Sequence, residues 1–144
     1  YDGQAERVPI HKEIAQMRAY IDLFQLKSEN PLSIRFEVEG DLQNGEIEPL
    51  LLLPLVENAL KHGDLEEHPA GYLHILLRKE TKRLFFRVEN SFNPADEQKD
   101  EVGGVGLDNI RQRLELNYPG RYRLEIRQEE GRFVSVLEID GAQV

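Results

Sequence analysis

The sequence predicts an α+β fold, a two-layer sandwich of helices and strands, and three observations support this prediction. Helical and strand-like segments follow one another in mixed order instead of alternating regularly. Four strand-like segments form two neighbouring pairs with turn residues between them, which is typical of antiparallel hairpins. The chain has 144 residues, 40% of them hydrophobic, which is enough for one domain with its own core.

Helical spacing of apolar residues predicts three helices. The first covers residues 9–27, and its apolar positions have the spacing of a coiled coil or of a helix packed on a flat partner. Periodicity alone leaves open whether this helix packs on its own domain or forms an interface. The second covers about 49–62 and ends at Gly63, and the third covers 107–118 and ends at Pro119. The apolar positions of the first helix are Ile10, Ile14, Met17, Ile21 and Phe24.

Alternating apolar and polar residues predict five strands. The first covers residues 32–38 and is half-buried by its pattern. The other four form two hairpins, which turn at Thr81-Lys82 and at Glu130-Gly131. Their ranges are 73–79 and 84–89 in the first hairpin, and 122–127 and 133–139 in the second.

Composition excludes several classes of function. With Lys+Arg 18 and Asp+Glu 27 the net charge is −9, which argues against a binder of duplex nucleic acid. No apolar run approaches the ~20 residues that span a bilayer. The absence of cysteine excludes disulfides, thiolate zinc sites and cysteine nucleophiles, and it fits a reducing cytoplasm. The chain begins with Tyr1 instead of Met, so we expect it to be part of a longer protein.

The second predicted helix gathers its polar residues on one face. At about 100° per residue, Pro54, Glu57, Asn58, Lys61 and His62 fall within one arc. Their oxygens could hold a hydrated Mg²⁺, and their nitrogens could bind phosphates. An ordinary amphipathic helix with a solvated Glu–Lys pair would have the same pattern. A proline inside the helix removes one hydrogen bond, which predicts a kink just before the polar residues.

A glycine-rich segment leads into the third predicted helix. Its sequence from Gly103 is GGVGLDNIRQRL, and such a segment brings backbone N–H groups and the positive end of the helix dipole to one place. This favours an anion site. The segment lacks the Lys-Ser/Thr pair of a P-loop and follows a long loop instead of a strand, so a dinucleotide fingerprint is excluded.

Taken together, these segments resemble those of a known family. LPLVENALKHG resembles the N box of the GHKL ATP-binding superfamily, and GGVGLDNIRQRLELNYPG, about 45 residues further on, resembles the G2 box of LytS/YehU-type sensor histidine kinases. The opening VPIHKEIAQMRAYIDLFQLK resembles the segment that joins the dimerisation helices to the ATPase domain in that family. The resemblance covers essentially the whole chain.

The resemblance implies a fold of the Bergerat type, with helices on one face of a mixed sheet. Residues 1–28 would be a linker helix from the dimerisation region, and 29–144 the GHKL ATP-binding catalytic domain. ATP would lie between the second helix and a lid formed by residues 91–105.

The resemblance also implies roles for single residues of the second helix. Asn58 would be a ligand of the Mg²⁺ that bridges the ATP phosphates. Glu57 would be the neighbouring carboxylate, a candidate base or orienting group. Lys61 and His62 would lie near the phosphates.

The two other parts of the implied site are the glycine-rich segment and the end of a strand. Gly104 and Gly106, with the helix start at Leu107, would cradle phosphate through backbone donors. In the family's G1 box an Asp receives the adenine amino group, and here Asn90 stands in its place without the glycines that usually follow. An Asn carbonyl can still accept this hydrogen bond, but it lacks the charge that strengthens it.

The histidine that accepts phosphate in this family lies in an upstream motif that this sequence does not contain. His11, His68 and His74 stand outside such a context, so we expect them to be surface or structural residues. The chain alone is therefore not expected to autophosphorylate.

The function implied by the resemblance is that of the catalytic domain of a two-component sensor histidine kinase. It would present Mg-ATP to a histidine on an upstream dimerisation domain, from which phosphate passes to a response regulator. The full-length protein would be a homodimer, and this domain would be cytoplasmic, with a membrane reached only through absent segments. Two alternatives stay open: a degenerate GHKL relay module without nucleotide, favoured by the altered G1 box, and a GHKL ATPase in which Glu57 activates water.

Overall fold

A five-stranded mixed sheet forms one layer of the structure, and three helices pack on one of its faces. The computed structural model describes residues 6–63, 65, 69–92 and 104–141. The elements are β1 Val8–Pro9, α1 Ile10–Lys27, β2 Ile34–Gly40, β3 Glu46–Ile47, α2 Leu53–His62, β4 Leu73–Glu80, β5 Arg83–Ser91, α3 Gly104–Asn117, β6 Tyr122–Glu129 and β7 Arg132–Asp140.

The sheet has the strand order β2-β4-β5-β7-β6. Strands β2 and β4 are parallel, whereas every other neighbouring pair is antiparallel. Both predicted hairpins, β4–β5 and β6–β7, are therefore confirmed, and so is the α+β sandwich with a mixed sheet. A second sheet, of the two-residue strands β1 and β3, was not predicted, because such short strands carry no alternation.

One continuous core lies between the sheet and the helices. Strand β5 shows how the sheet contributes, because Leu84, Phe86 and Val88 are buried at alternate positions on the same face. Helix α1 adds Ile10, Ile14, Met17 and Ile21 to this core, so the periodic residues of the first helix pack on this domain. In the described part of the chain, no helix is long and apolar enough to cross a membrane.

Helix α2 begins at Leu53 and not at residue 49 as predicted. Leu50 has a φ of 57°, and this left-handed conformation is incompatible with a continuous right-handed helix. Pro54 consequently lies in the first turn of α2, where its missing N–H removes no helical hydrogen bond. The predicted kink was therefore wrong.

Helix α3 begins at Gly104, three residues before the predicted start at Leu107. Apolar periodicity reveals a helix only from its first buried apolar residue, here Leu107. The helical backbone itself begins earlier, in the glycine-rich segment. Of the predicted loop and lid, residues 93–103 lie outside the described residues.

Candidate functional site

The predicted division of α2 into an apolar and a polar face is present in the structure. Residues 55, 56, 59 and 60 are buried, whereas Glu57 and Lys61 are exposed and Asn58 is half-buried. Among the described residues, no ion pair joins Glu57 with Lys61, so both charges face solvent unpaired. His62 ends the helix, and its side chain is outside the described part of the structure.

Asn58 and Asn90 each have a buried side-chain atom that has no hydrogen-bond partner among the described residues. These atoms are Nδ2 of Asn58 and Oδ1 of Asn90. Asn90 is 2% exposed, and its Nδ2 donates to the carbonyl of Ser91 at 2.9 Å, which leaves Oδ1 as an unused acceptor. Since more than about 90% of buried polar groups are paired in native proteins, this oxygen indicates a place for a ligand or water.

Gly63 brings the end of α2 against Asn90. Its N–H donates to the carbonyl of Ala59 at 2.9 Å and closes the last turn. A Cβ at position 63 would lie 2.9 Å from Nδ2 of Asn90 and 2.7 Å from the carbonyl oxygen of Ala59. The absence of a side chain therefore allows the polar end of α2 and the Asn90 amide to meet. Sequence analysis assigned Gly63 only the end of the helix.

The predicted glycines lie within the first turn of α3 and not before the helix. N–H groups in this turn have no acceptor within the helix, and this holds for Gly104 and Gly106. A Cβ at Gly106 would meet no atom of the described residues within 4 Å, so in this part of the structure its backbone is open to an approaching group. Leu107 is the fourth helical residue and is 5% exposed, which makes it a core residue. Helices α2 and α3 contact each other.

Tyr20 of α1 is a neighbour of this site that sequence analysis missed. Burial, followed by the charge of Glu57, raises the pKa of the Tyr20 hydroxyl. This hydroxyl is therefore close enough to the Glu57 carboxylate to be affected by it. No local pattern marks Tyr20, because the proximity depends on the packing of α1 beside α2.

Two of the three histidines that were predicted to be surface or structural residues lie in the described part of the chain. His11 is exposed on α1, and the ring centroid of His74 lies 4.7 Å from that of Tyr72. His68 lies outside the described residues.

A network of charged and hydroxyl groups surrounds Glu89. It lies on the opposite face of the sheet from Asn90, because neighbouring residues of a strand point to opposite faces. The Glu89 carboxylate accepts hydrogen bonds from Tyr72, Arg87 and Arg132. Burial and then the interaction with Glu89 raise the pKa of Tyr72 to about 12. Burial alone would raise the pKa of Glu89, but its hydrogen bonds and the two guanidinium charges hold it below the ordinary value. The charged groups of this network pair with one another, and these contacts stabilise the sheet.

We expect Glu89→Gln to lower the free energy of unfolding by about 1–3 kcal/mol at neutral pH, because a charged acceptor is lost. The folded-state pKa of Glu89 is depressed, so its contribution is present above the ordinary value of 4.5 and is lost as pH falls through the folded pKa. Urea unfolding of parent and variant over a pH series checks this. Glu37→Gln, which removes an exposed partner of Arg35, should have a smaller effect. A Glu89 effect that is constant with pH would contradict the assignment.

Comparison with curated proteins identifies sensor kinases. No protein-family model matches the chain. The sensor protein LytS of Oceanobacillus iheyensis is 29% identical over 120 residues, which cover 74% of this chain and 20% of that protein. The sensor histidine kinase BtsS of Escherichia coli is 22% identical over 135 residues, which cover 92% of this chain and 23% of that protein. The chain thus spans about a fifth of the length of these relatives.

Comparison with solved structures also finds histidine kinases. The catalytic domain of the histidine kinase ThkA matches with a TM-score of 0.64 at 20% identity, over 95% of this chain and 97% of that one. A structure of ThkA in complex with the response regulator protein TrrA matches with a TM-score of 0.60 at 18% identity, over 94% of this chain and 41% of that one. The fold is that of a histidine kinase catalytic domain. The chain is thus similar in sequence to LytS and BtsS and similar in fold to a histidine kinase catalytic domain, which confirms the resemblance to LytS-type sensor histidine kinases.

Proposed function

We propose that this chain is the ATP-binding catalytic domain of a sensor histidine kinase and that it presents Mg-ATP to a histidine on another domain. The observation that carries the proposal is the buried, unpaired Oδ1 of Asn90, which lies beside the polar end of α2. The exocyclic amino group of adenine is a donor of the kind that this oxygen lacks. Guanine has a carbonyl oxygen at the same position and would leave Oδ1 unpaired.

Asn58 is the proposed protein ligand of Mg²⁺. Among the described residues, no three His, Cys, Asp or Glu side chains are grouped to hold a metal. At nucleotide sites, however, Mg²⁺ needs only one or two protein oxygens, because phosphates and water complete its shell. A half-buried amide on the polar face of α2 fits this requirement.

The remaining polar groups of the site are proposed to hold the phosphates. Lys61 and His62 supply nitrogen groups from α2, and Gly104 and Gly106 supply backbone donors in the first turn of α3. These glycines are the ones that the sequence implied, but they lie inside the first turn of α3 and not before the helix, because α3 begins at Gly104. Glu57, exposed and beside Tyr20, is proposed to orient the reacting groups.

The proposed reaction needs no nucleophile from this domain. Transfer of a phosphoryl group depends mainly on positioning and on charge neutralisation, and Mg²⁺ would supply part of the latter. The chain's own residues bind the nucleotide and orient its phosphates. The nucleophile would be a histidine on an upstream dimerisation domain, and a response regulator would receive the phosphate, as the ThkA–TrrA complex suggests by analogy. We further propose a homodimeric full-length protein with this domain in the cytoplasm.

Thermal unfolding with nucleotide tests the proposal. A ligand that binds only the native state stabilises it, by about 2.7 kcal/mol at a concentration 100 times Kd. We therefore expect Mg-ATP to raise the Tm of this chain by several degrees, ATP with excess EDTA to raise it less, and Mg-GTP to leave it unchanged. An unchanged Tm with every nucleotide would contradict ATP binding and favour the degenerate relay module.

We expect Asn90→Ala to weaken ATP binding by about five- to tenfold, because one neutral acceptor contributes on the order of 1 kcal/mol. Asn90→Asp should retain or increase affinity, since a charged acceptor is stronger. Titration calorimetry on folded protein measures both effects, and Asn30→Ala, an exposed amide, is the matched control. Unchanged affinity in Asn90→Ala would assign Asn90 only a structural role within strand β5.

A further inference from the structure

The turn that leads into α2 is bound by a carboxylate from α1. We call residues 48–52 the entry turn, because they connect β3 with α2. Glu13 is 1% exposed, and its Oε2 accepts the N–H of Leu50 at 3.0 Å while its Oε1 accepts the N–H of Leu52 at 2.9 Å. One buried carboxylate therefore uses both of its oxygens on this turn.

The same turn is bound from its other side by a guanidinium from α3. Arg113 donates from Nη1 to the carbonyl of Leu50 at 2.8 Å and from Nη2 to that of Pro49 at 2.6 Å. Its Nε also donates to Oε1 of Glu48 at 3.0 Å. Two N–H groups of the entry turn thus bind α1, and the carbonyl groups of Pro49 and Leu50 bind α3. The N–H of Glu48 donates instead to the Tyr118 hydroxyl at 3.0 Å.

Helix α2 depends on these outside contacts because it has no cap of its own. Its N-cap residue is Leu52, whose side chain cannot accept a hydrogen bond, and Pro54 has no N–H to offer. The left-handed Leu50 is a costly conformation for a leucine and persists only when its surroundings hold it. Glu13 binds Leu50 and Leu52 directly, so it holds both the unusual residue and the start of the helix.

A shift of the entry turn would be transmitted along α2. The helix has 10 residues and is continuous from the turn to His62, so Glu57 and Asn58 lie between one and two turns from its start. Helices α1 and α2 also contact each other directly. Helix α3, which Arg113 joins to the turn, carries Gly104 and Gly106 in its first turn.

We propose that Glu13 is a positioning residue for the nucleotide site: with Arg113 as its counterpart, it holds the entry turn so that the placement of α1 determines the placement of Asn58. The part of this proposal that concerns ligand binding rests on the proposed function. The part that concerns the position of α2 does not. The two parts can therefore be tested separately.

The test compares Glu13→Gln with Asp22→Asn in the 144-residue chain. Gln has the shape of Glu but only one acceptor, so one of the two turn N–H groups loses its bond. Asp22→Asn removes the same charge from an exposed position of α1 and serves as the control. The backbone amide NMR signals of Glu57 and Asn58 are recorded without nucleotide, and Mg-ATP affinity is measured well below the unfolding midpoint of each variant.

Glu13→Gln is expected to move the Glu57 and Asn58 signals and to weaken Mg-ATP by about tenfold, the scale for residues that orient a metal ligand. Asp22→Asn should change neither. If Glu13→Gln lowers the Tm but leaves signals and affinity unchanged, Glu13 only stabilises the fold and the proposal is overturned. If the parent binds no nucleotide, the proposed function fails, whereas the amide signals still decide the positioning role.

Arg113→Lys provides a second route if Glu13→Gln does not fold. A lysine cannot bind Glu48 and the carbonyls of Pro49 and Leu50 together, so it loosens the same turn from its less buried side. The same shifts of the Asn58 signal and loss of affinity are expected. If both variants fold, the double variant should show less than the sum of the two effects, because they act on one turn. Unchanged Asn58 signals in Arg113→Lys, or full additivity in the double variant, would contradict the proposal.

Discussion

Asn58→Ala is expected to abolish the dependence of ATP binding on Mg²⁺. The alanine removes the only side-chain amide oxygen on the polar face of α2, which is the proposed protein ligand of Mg²⁺. With Mg²⁺ present, the loss should be about tenfold or more, equivalent to about 1.4 kcal/mol per factor of ten. With EDTA, parent and variant should bind ATP equally.

Titration calorimetry with and without Mg²⁺ measures this difference. Asn58→Asp is the matched variant, because it retains an oxygen that Mg²⁺ prefers, and it should keep the metal dependence. Equal affinities of Asn58→Ala and the parent with Mg²⁺ present would show that the metal ligand is elsewhere.

Gly63→Ala is expected to lower both the stability of the fold and its affinity for nucleotide. The added Cβ would lie 2.7 Å from the Ala59 carbonyl oxygen and 2.9 Å from Nδ2 of Asn90, and neither the helix backbone nor a buried amide can move freely. Overpacking of this kind costs about 1–3 kcal/mol. Displacement of the Asn90 amide should weaken ATP binding as well.

Gly106→Ala is the matched control for stability. A Cβ there lies in a helix and meets no atom within 4 Å in the described part of the chain, so the free energy of unfolding should be unchanged or slightly higher. If the first turn of α3 approaches phosphate, the same variant should weaken ATP. Urea unfolding and calorimetry on both variants separate the two effects. A Gly63→Ala variant as stable as the parent would show that Asn90 is not held against the end of α2.

Elements with local causes could be predicted from the sequence. The hairpins β4–β5 and β6–β7 follow from alternation and from turn residues that lie next to each other in the chain. The polar arc with Glu57 and Asn58 follows from helix geometry alone, and its apolar neighbours are buried as expected. The resemblance to histidine kinases likewise rested mainly on two motifs, each of which is an unbroken stretch of sequence.

Helix starts were predicted less well, because their causes are distant. Leu50 interrupts the helix predicted from residue 49, and it is bound by Glu13 and Arg113, which are 37 and 63 positions away. Neither contact has a local signature. The start of α3 was placed late because glycines carry no apolar periodicity.

The sequence by itself determined the class of fold and the polar face of α2, since each depends on neighbouring residues, and it predicts that Asn90 stands where the family has an Asp. Only the tertiary structure decided that Oδ1 of Asn90 is buried and has no partner among the described residues. It decided as well that Gly63, which has no side chain, leaves room for the Asn90 amide against the end of α2. It also decided that Glu13 caps a helix other than its own. Burial and hydrogen-bond pairing depend on which distant segments meet, and no local pattern of residues specifies that.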